Sequence, residues 1–401
     1  MRLTATWAEY CSPRIEADAD WTAEIMIRFV HTADWQLGMA PKFLNDEARA
    51  RFAAARIDII GTIGALARKT GCDFVVVAGD VFESNQVDRA TVRRALDTMA
   101  EAGLPFFLLP GNHDPLEPGS VFRTDPFLSH QPANVRVLEG GGPVVPMAGV
   151  EIVGAPWLSK RPVRDLVGEA CRDLAPVEAG VRIVVGHGAV DMLSPDSRSP
   201  QMIRVERLED VLSRHCVHYV ALGDRHSTTK IGQSDAIWYS GAPEPTDFTE
   251  IDAGNVLVVE LDRGSVGVAP HRVGTWHFVD KVVDVNGSED IAQVANWLSD
   301  QSSKSTTLIR LAPVGTVGLQ RKAMLDVLIE EEGHRFAAIL LRASRSDLVV
   351  MPQDSDFSDL GLSGFAASTV ARLREQASGH DGEAAQNALS LLYRLAGGDP
   401  G

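Results

Sequence analysis

Asp, Asn and His recur in this chain at the points where short apolar runs end. Five such points stand in order: Asp34-Trp35-Gln36-Leu37-Gly38, Gly79-Asp80, Gly111-Asn112-His113-Asp114, Gly186-His187-Gly188 and Gly223-Asp224-Arg225-His226. Carboxylate, amide and imidazole donors without any thiolate suit hard or borderline divalent cations such as Mn²⁺ or Fe²⁺. Glycine beside them lets the backbone turn tightly next to an ion. One Gly-Asp pair or one loop histidine is ordinarily a turn or a satisfied polar group. Five in succession form a specific pattern, because the carboxyl ends of strands gather at one sheet edge, where loops converge and sites form.

The elements that must position these loops are legible in the same stretch. Apolar runs rich in Val, Ile and Phe predict strands buried on both faces at Phe74–Ala78, Phe106–Leu109, Ile183–Val185 and Tyr219–Leu222. Helices are predicted over Asp46–Thr70 and over Val87–Ala102, where Val92, Leu96 and Met99 fall at helical spacing. A turn-rich stretch, Tyr239–Gly254, precedes a hairpin of Val256–Leu261 and Val266–Ala269. Near Thr275 a second unit begins, reading strand (Lys281–Val285), helix (Ile291, Val294, Leu298), strand (Thr307–Leu311), helix (Gly318–Glu332), strand (Ala337–Arg342). Two amphipathic segments end the chain, Phe365–Ala377 and Ala384–Ala396. His31, inside the strand before Asp34, reads as structural, and Trp35 as core rather than a base-stacking ring. His215, His218, His271 and His277 lie outside the five loops and read as ordinary packing or surface groups. Arg225 has two readings, a phosphate contact or an exposed loop charge, the second preferred. The run Glu330-Glu331-Glu332 reads as a solvated helix end.

Bulk properties narrow the class. A chain of 401 residues exceeds what one compact core usually uses, so two domains and a tail are expected. No stretch is long and apolar enough to span a membrane. The opening residues carry Glu9, Glu16, Asp18, Asp20 and Glu24 without an apolar segment, which excludes a secretory signal and predicts a disordered extension, or an upstream start, over 1–26. Cys11, Cys72, Cys171 and Cys216 show no metal-ligand spacing, as expected of a reduced cytoplasmic protein. The formal net charge of −16 argues against tight autonomous nucleic-acid binding, since phosphate affinity comes largely from Lys and Arg. Bound cations are missing from that sum, so it weighs less against catalysis.

The loops resemble those of the calcineurin-like metallophosphoesterases, and within them the SbcD-like exonuclease subunits of DNA double-strand-break repair. Phe29-Val30-His31-Thr32-Ala33-Asp34-Trp35-Gln36-Leu37-Gly38 carries the likeness, with Ala78-Gly79-Asp80-Val81-Phe82, Pro110-Gly111-Asn112-His113-Asp114 and Tyr239-Ser240-Gly241-Ala242-Pro243-Glu244. It covers 27–272 well and the second unit by order of elements only. The resemblance implies a four-layer α/β/β/α sandwich over 27–272, a smaller α/β capping domain over 275–350 and a helical tail over 360–401. It implies one metal held by Asp34, Gln36, Asp80 and His226, and a second held by Asp80, Asn112, His187 and Asp224. His113 would sit off the metals as the catalytic residue, beside the scissile phosphate. Gln36 stands where the family usually has His, and Asp224 where it usually has the first His of a Gly-His-x-His loop. A neutral amide oxygen holds the first ion less strongly, and the carboxylate shifts the second site toward harder ions.

The function so implied is a metal-dependent DNA nuclease, in which a water activated by two divalent ions hydrolyses the phosphodiester. Mn²⁺ is the first expectation, with Mg²⁺ or Fe²⁺ as alternatives. DNA, an SbcC-like coiled-coil ATPase and a second copy in a homodimer are the implied partners, with no membrane. The stripe Leu389, Leu392 and Leu395 would dock either on that ATPase or on the protein's own core. Two rival readings remain: a phosphodiesterase of the same superfamily acting on cyclic nucleotides or small molecules, and a non-catalytic repair scaffold whose site is weakened at Gln36 and Asp224.

Overall fold

The computed structural model describes residues 25–196, 198–342, 346–350, 362–377 and 382–395. Nearly all of the expected N-terminal extension, residues 1–24, lies outside them, as do residues 360–361, 378–381 and 396–401 of the expected tail. The chain divides into two compact units, Met1–Trp276 and His277–Gly401.

The first unit opens with β1 (Ile27–Thr32), α1 (Asp46–Thr70), β2 (Phe74–Val77), α2 (Arg89–Ala102), β3 (Phe106–Leu108), the short α3 (Asp125–Leu128) and β4 (Val135–Val137). It continues through β5 (Val144–Met147), β6 (Val150–Gly154), α4 (Leu166–Cys171), β7 (Val181–His187), α5 (Val205–Ser213), β8 (Tyr219–Gly223), β9 (Thr229–Lys230) and β10 (Ile237–Tyr239). The hairpin β11 (Asn255–Leu261) and β12 (Val266–Arg272) closes it. Two six-stranded sheets result, in the orders β12-β11-β1-β2-β3-β4 and β5-β6-β7-β8-β10-β9.

The period-two alternation of strand side chains sorts these residues into layers. Phe74 and Val76 of β2 face the second sheet and share a core with Ile183 and Val185 of β7 and with Tyr219 and Ala221 of β8. Val75 and Val77 point the other way, onto α1 and α2 through Ile60, Ile63, Leu96 and Met99. Val184, Val220 and Leu222 likewise pack against the outer helices with Val167, Leu208 and Val211. This is the four-layer α/β/β/α sandwich. His31 sits in the central layer, where its ring meets the Tyr219 hydroxyl at 3.0 Å and the Leu222 carbonyl at 3.1 Å, so its structural reading holds.

Helix α1 spans the predicted range because its ends carry explicit signals. The Asn45 side chain accepts the Ala48 N–H, and Gly71 takes the left-handed conformation with φ 71°. Strands β1, β2, β3 and β4 run parallel, as do β6, β7, β8 and β10. The carboxyl ends of β1, β2 and β3 therefore share one edge, and those of β7 and β8 share another.

The second unit contains β13 (His277–Asp284), α6 (Ser288–Asp300), β14 (Thr307–Val317), α7 (Leu319–Gly333), β15 (Ala338–Leu341), β16 (Asp347–Val350), α8 (Phe365–Ala377) and α9 (Gly382–Leu395). Its sheet is parallel around β14, whose first half pairs with β15 and whose last residues pair with β16. The sequence reading did not include β16. Val370 of α8 and Leu389 of α9 are buried in this unit's own core with Ile309, Leu311 and Leu319. Leu392 packs against the same core, while Leu391 and Leu395 are exposed. Glu332 corrects the expectation of a fully solvated acidic run: it is half-buried, pairing with Arg335 at 2.8 Å and Lys304 at 3.6 Å. No described helix is long and apolar enough to cross a membrane.

Candidate metal centre

The five loops converge. Asp34, Asp80 and His187 are buried and offer ligand atoms within 4.8 Å of one another. Around His187 Nε2 stand Asn112 Oδ1 at 2.7 Å, Asp80 Oδ1 at 3.5 Å and Asp224 Oδ1 at 3.8 Å. A second cluster adjoins it, with His226 Nε2 at 3.7 Å from Asp34 Oδ1 and 3.3 Å from the Gln36 amide nitrogen. Turning that amide over brings its oxygen to the same place. All seven residues expected as ligands thus lie in one region of the first unit, with Asp34 between the two histidines.

Backbone geometry explains why these side chains point inward. Asp34, Gln36, Asp80 and Asp224 have positive φ, at 56°, 44°, 53° and 97°, four of the seven described non-glycine residues to do so. Such conformations cost about 1–3 kcal/mol each and persist where surrounding structure over-determines them, typically at functional sites. Here the determinants are visible. Asp34 N–H donates to the Gly79 carbonyl at 3.0 Å and Gln36 N–H to the Asp80 carbonyl at 2.9 Å. The Asp224 N–H reaches both Asp34 oxygens, at 3.1 and 3.2 Å. Glycine serves to make room rather than merely to turn: a Cβ on Gly79 would lie 2.1 Å from His187 Nδ1, and one on Gly111 2.2 Å from Asp80 Oδ1.

Outer contacts fix each imidazole. His187 Nδ1–H donates to the Ala78 carbonyl at 2.8 Å, directing Nε2 into the cluster. Trp157 Nε1–H holds the His187 carbonyl at 2.7 Å. His226 Nδ1 faces Glu250 Oε1 at 2.8 Å and Thr246 Oγ1 at 2.6 Å, a carboxylate–histidine arrangement that orients a metal-binding ring. His113 Nδ1–H donates to the Glu83 carbonyl at 2.9 Å, while its backbone N–H reaches Asp80 Oδ1 at 2.9 Å. Its Nε2 is left 3.9 Å from Asp80 Oδ2. The buried carboxylate of Asp114 accepts the Gly111 and Phe82 N–H groups at 2.7 and 2.9 Å, locking the third loop to the second.

The electrostatics suit a cation. Burial pushes the Asp34 carboxyl up to about 6 despite nearby histidines. Burial, with Asp80 beside it, pushes Asp114 up to about 7. Burial also raises Asp224. Burial works against the charged imidazoles, yet Asp80 holds His187 well above the ordinary value and Glu250 and Asp34 raise His226 to about 9. Among the described ion pairs, Asp34, Asp80 and Asp224 meet only histidines, never Lys or Arg. Carboxylates whose only charged side-chain partners are imidazoles form a donor set that fits divalent ions, which would take the place of those protons.

Trp157, Thr246 and Glu250 were not singled out from sequence. Nothing in their spacing marks them, because they act through other side chains. Trp35 is core as expected, its Nε1–H bonded to Thr32 Oγ1 at 2.9 Å. Arg225 is exposed and donates to Thr229 Oγ1 at 2.9 Å, in keeping with the loop-charge reading.

The chain matches the calcineurin-like phosphoesterase family over residues 27–259 and belongs to it. It is similar to the DNA double-strand break repair protein Mre11 of Haloferax volcanii, 28% identical over 276 residues, which are 67% of this chain. The aligned stretch spans 57% of that relative's length. Among solved structures it matches TT1561 of Thermus thermophilus at TM-score 0.40 and 11% identity, over 62% of this chain and 100% of that one. It also matches a dimetal phosphatase from Danio rerio at TM-score 0.37 and 13% identity, over 60% and 98%.

Proposed function

We propose that this protein is a metal-dependent DNA nuclease of double-strand-break repair, cytoplasmic and working with an SbcC-like coiled-coil ATPase. The observation that carries the proposal is the convergence of Asp34, Asp80, Asn112, His187, Asp224 and His226 in one cluster, with His113 over Asp80. The likeness to Mre11 supplies the choice of DNA and of the ATPase; the site alone supports phosphoester hydrolysis. In this reading Asp34, Gln36, Asp80 and His226 hold one divalent ion, and Asp80, Asn112, His187 and Asp224 hold the other. Two such ions, most readily Mn²⁺, supply a water of lowered pKa and neutralise charge on the phosphate.

The chain's own residues do the rest. Asp80, beside His187 and Asp34, is shared by the two ligand sets. Asn112 and His187 fix the inner side of the site, while Gln36 and His226 form the other. His113, anchored through Nδ1 to Glu83, presents Nε2 where a leaving oxygen can take its proton. Exposed Leu391 and Leu395 leave part of α9 open to an ATPase segment, even though Leu389 is sealed in the unit's own core.

The test is degradation of linear duplex and single-stranded DNA with Mn²⁺, in wild type, His113→Ala and Asp80→Ala, with and without the ATPase. Wild-type cleavage that both changes abolish supports the proposal. Turnover confined to small phosphodiesters would move the substrate to the small-molecule class. Failure of any turnover, coupled with no metal uptake, would leave a scaffold.

A further inference from the structure

We infer that Arg56 is a positioning residue for the metal centre, clamping the loop that presents Asp34 and Gln36 to the loop whose Thr246 and Glu250 orient His226. This inference rests on the two-ion reading above and deepens it.

Arg56 belongs to α1, outside the five ligand loops, and lies on its apolar stripe with Phe52, Ile59, Ile60 and Ile63. It is 1% exposed. Its Nη1–H donates to the Trp35 carbonyl at 2.8 Å and its Nη2–H donates to the Pro245 carbonyl at 2.8 Å. Both acceptors are informative. Trp35 stands between Asp34 and Gln36, whose backbones have φ of 56° and 44°, so the guanidinium holds the peptide of a strained segment. Pro245 adjoins Thr246, and Thr246 with Glu250 orients the His226 ring. One planar fork thus joins the loop after β1 to the loop after β10, and each loop serves the same ion site.

The group is held as rigidly as what it holds. Its guanidinium carbon lies 4.7 Å from the centre of the Phe52 ring, and Phe52 meets Trp276 edge-on at 4.9 Å. Next to Pro245, the Glu244 carboxylate accepts the backbone N–H groups of Thr275 and Trp276, at 2.9 and 3.0 Å. Among the described ion pairs none involves Arg56, and its Nε has no hydrogen-bond partner. Both of its direct acceptors are backbone carbonyls, while the nearby Glu244, Glu250 and Glu83 carboxylates favour its charge. What the guanidinium adds is reach: two donors in fixed geometry, a property that lysine lacks.

The test titrates Mn²⁺ into the full chain, counting bound ions by electron paramagnetic resonance in wild type, Arg56→Met, Arg56→Lys and His226→Ala. Arg56→Met removes the donors and keeps the length. It is expected to bind one ion with wild-type affinity and the other about ten- to a hundredfold more weakly, the range for loss of an outer-shell contact. His226→Ala should weaken the same ion, and Arg56→Lys should fall between wild type and Arg56→Met. A general loss of structure would instead weaken both ions together. Folded Arg56→Met with both affinities unchanged overturns the inference while leaving the two-ion reading intact. Should Arg56→Met not fold, Arg56→Lys decides, and unchanged affinities there overturn it too. Wild-type protein that takes up no Mn²⁺ overturns the two-ion reading, and this inference with it.

Discussion

Replacing Gly79 with alanine should damage the metal centre as well as the fold. A Cβ at that position would lie 2.1 Å from Nδ1 and 2.4 Å from Cγ of His187, distances no packing tolerates. The φ of 97° there adds strain of about 1–3 kcal/mol for a residue with a Cβ. The imidazole must yield, and its Nδ1–H bond to the Ala78 carbonyl goes with it, worth about 1 kcal/mol. Together these put the loss of stability at about 2–4 kcal/mol. His187 Nε2 is also moved away from Asn112, Asp80 and Asp224, so Mn²⁺ affinity should fall about ten- to a hundredfold, or about 1.4–2.8 kcal/mol. Calorimetric titration of Mn²⁺ into folded Gly79→Ala, beside urea unfolding of both proteins, reads the two quantities separately. Wild-type affinity in the variant would refute the claim that Gly79 exists to seat His187.

Three further outcomes follow from the same geometry. His31 is buried neutral with its pKa lowered to about 3 by burial, against an ordinary 6.5, so the unfolded chain binds its proton first as pH falls. Its contribution is whole above pH 6.5 and is lost on acidification; between pH 7 and 5 the stability gap between wild type and His31→Phe should shrink by about 2 kcal/mol, and a constant gap in denaturant titrations contradicts this. Asp114→Ala orphans the Gly111 and Phe82 N–H groups, and urea unfolding should show a loss of about 2–4 kcal/mol. Trp157→Phe deletes the N–H bond to the His187 carbonyl; thermal unfolding should register about 1 kcal/mol, with DNA cleavage reduced but not abolished.

Much of the centre was legible because each proposed ligand sits at the end of a strand or within a few residues after it, and strand ends are what apolar runs mark best. Helix α1 could be bounded to the residue, since Asn45 and Gly71 cap it. The short elements were harder. Strands β4 and β5 and helix α4 contain three to six residues, too few to show a period. Strand β16 was missed for the same reason. Supporting residues escaped altogether: Glu250 and Thr246 act on His226 from a turn-rich segment in which every polar residue looks alike. Arg56 did leave a trace, a cation four residues after Phe52 on an otherwise apolar helix stripe. The roles of glycine were half-read, since the sequence suggests tight turns whereas the structure adds that Gly79 and Gly111 make room for His187 and Asp80.

The most direct measurement is anomalous diffraction at the manganese edge from crystals grown with Mn²⁺. The account predicts two peaks roughly 3.5–4 Å apart, with Asp80 bridging, His226 on one and His187 on the other. A single peak, or two peaks without Asp80 between them, would contradict a dinuclear centre built on these five loops.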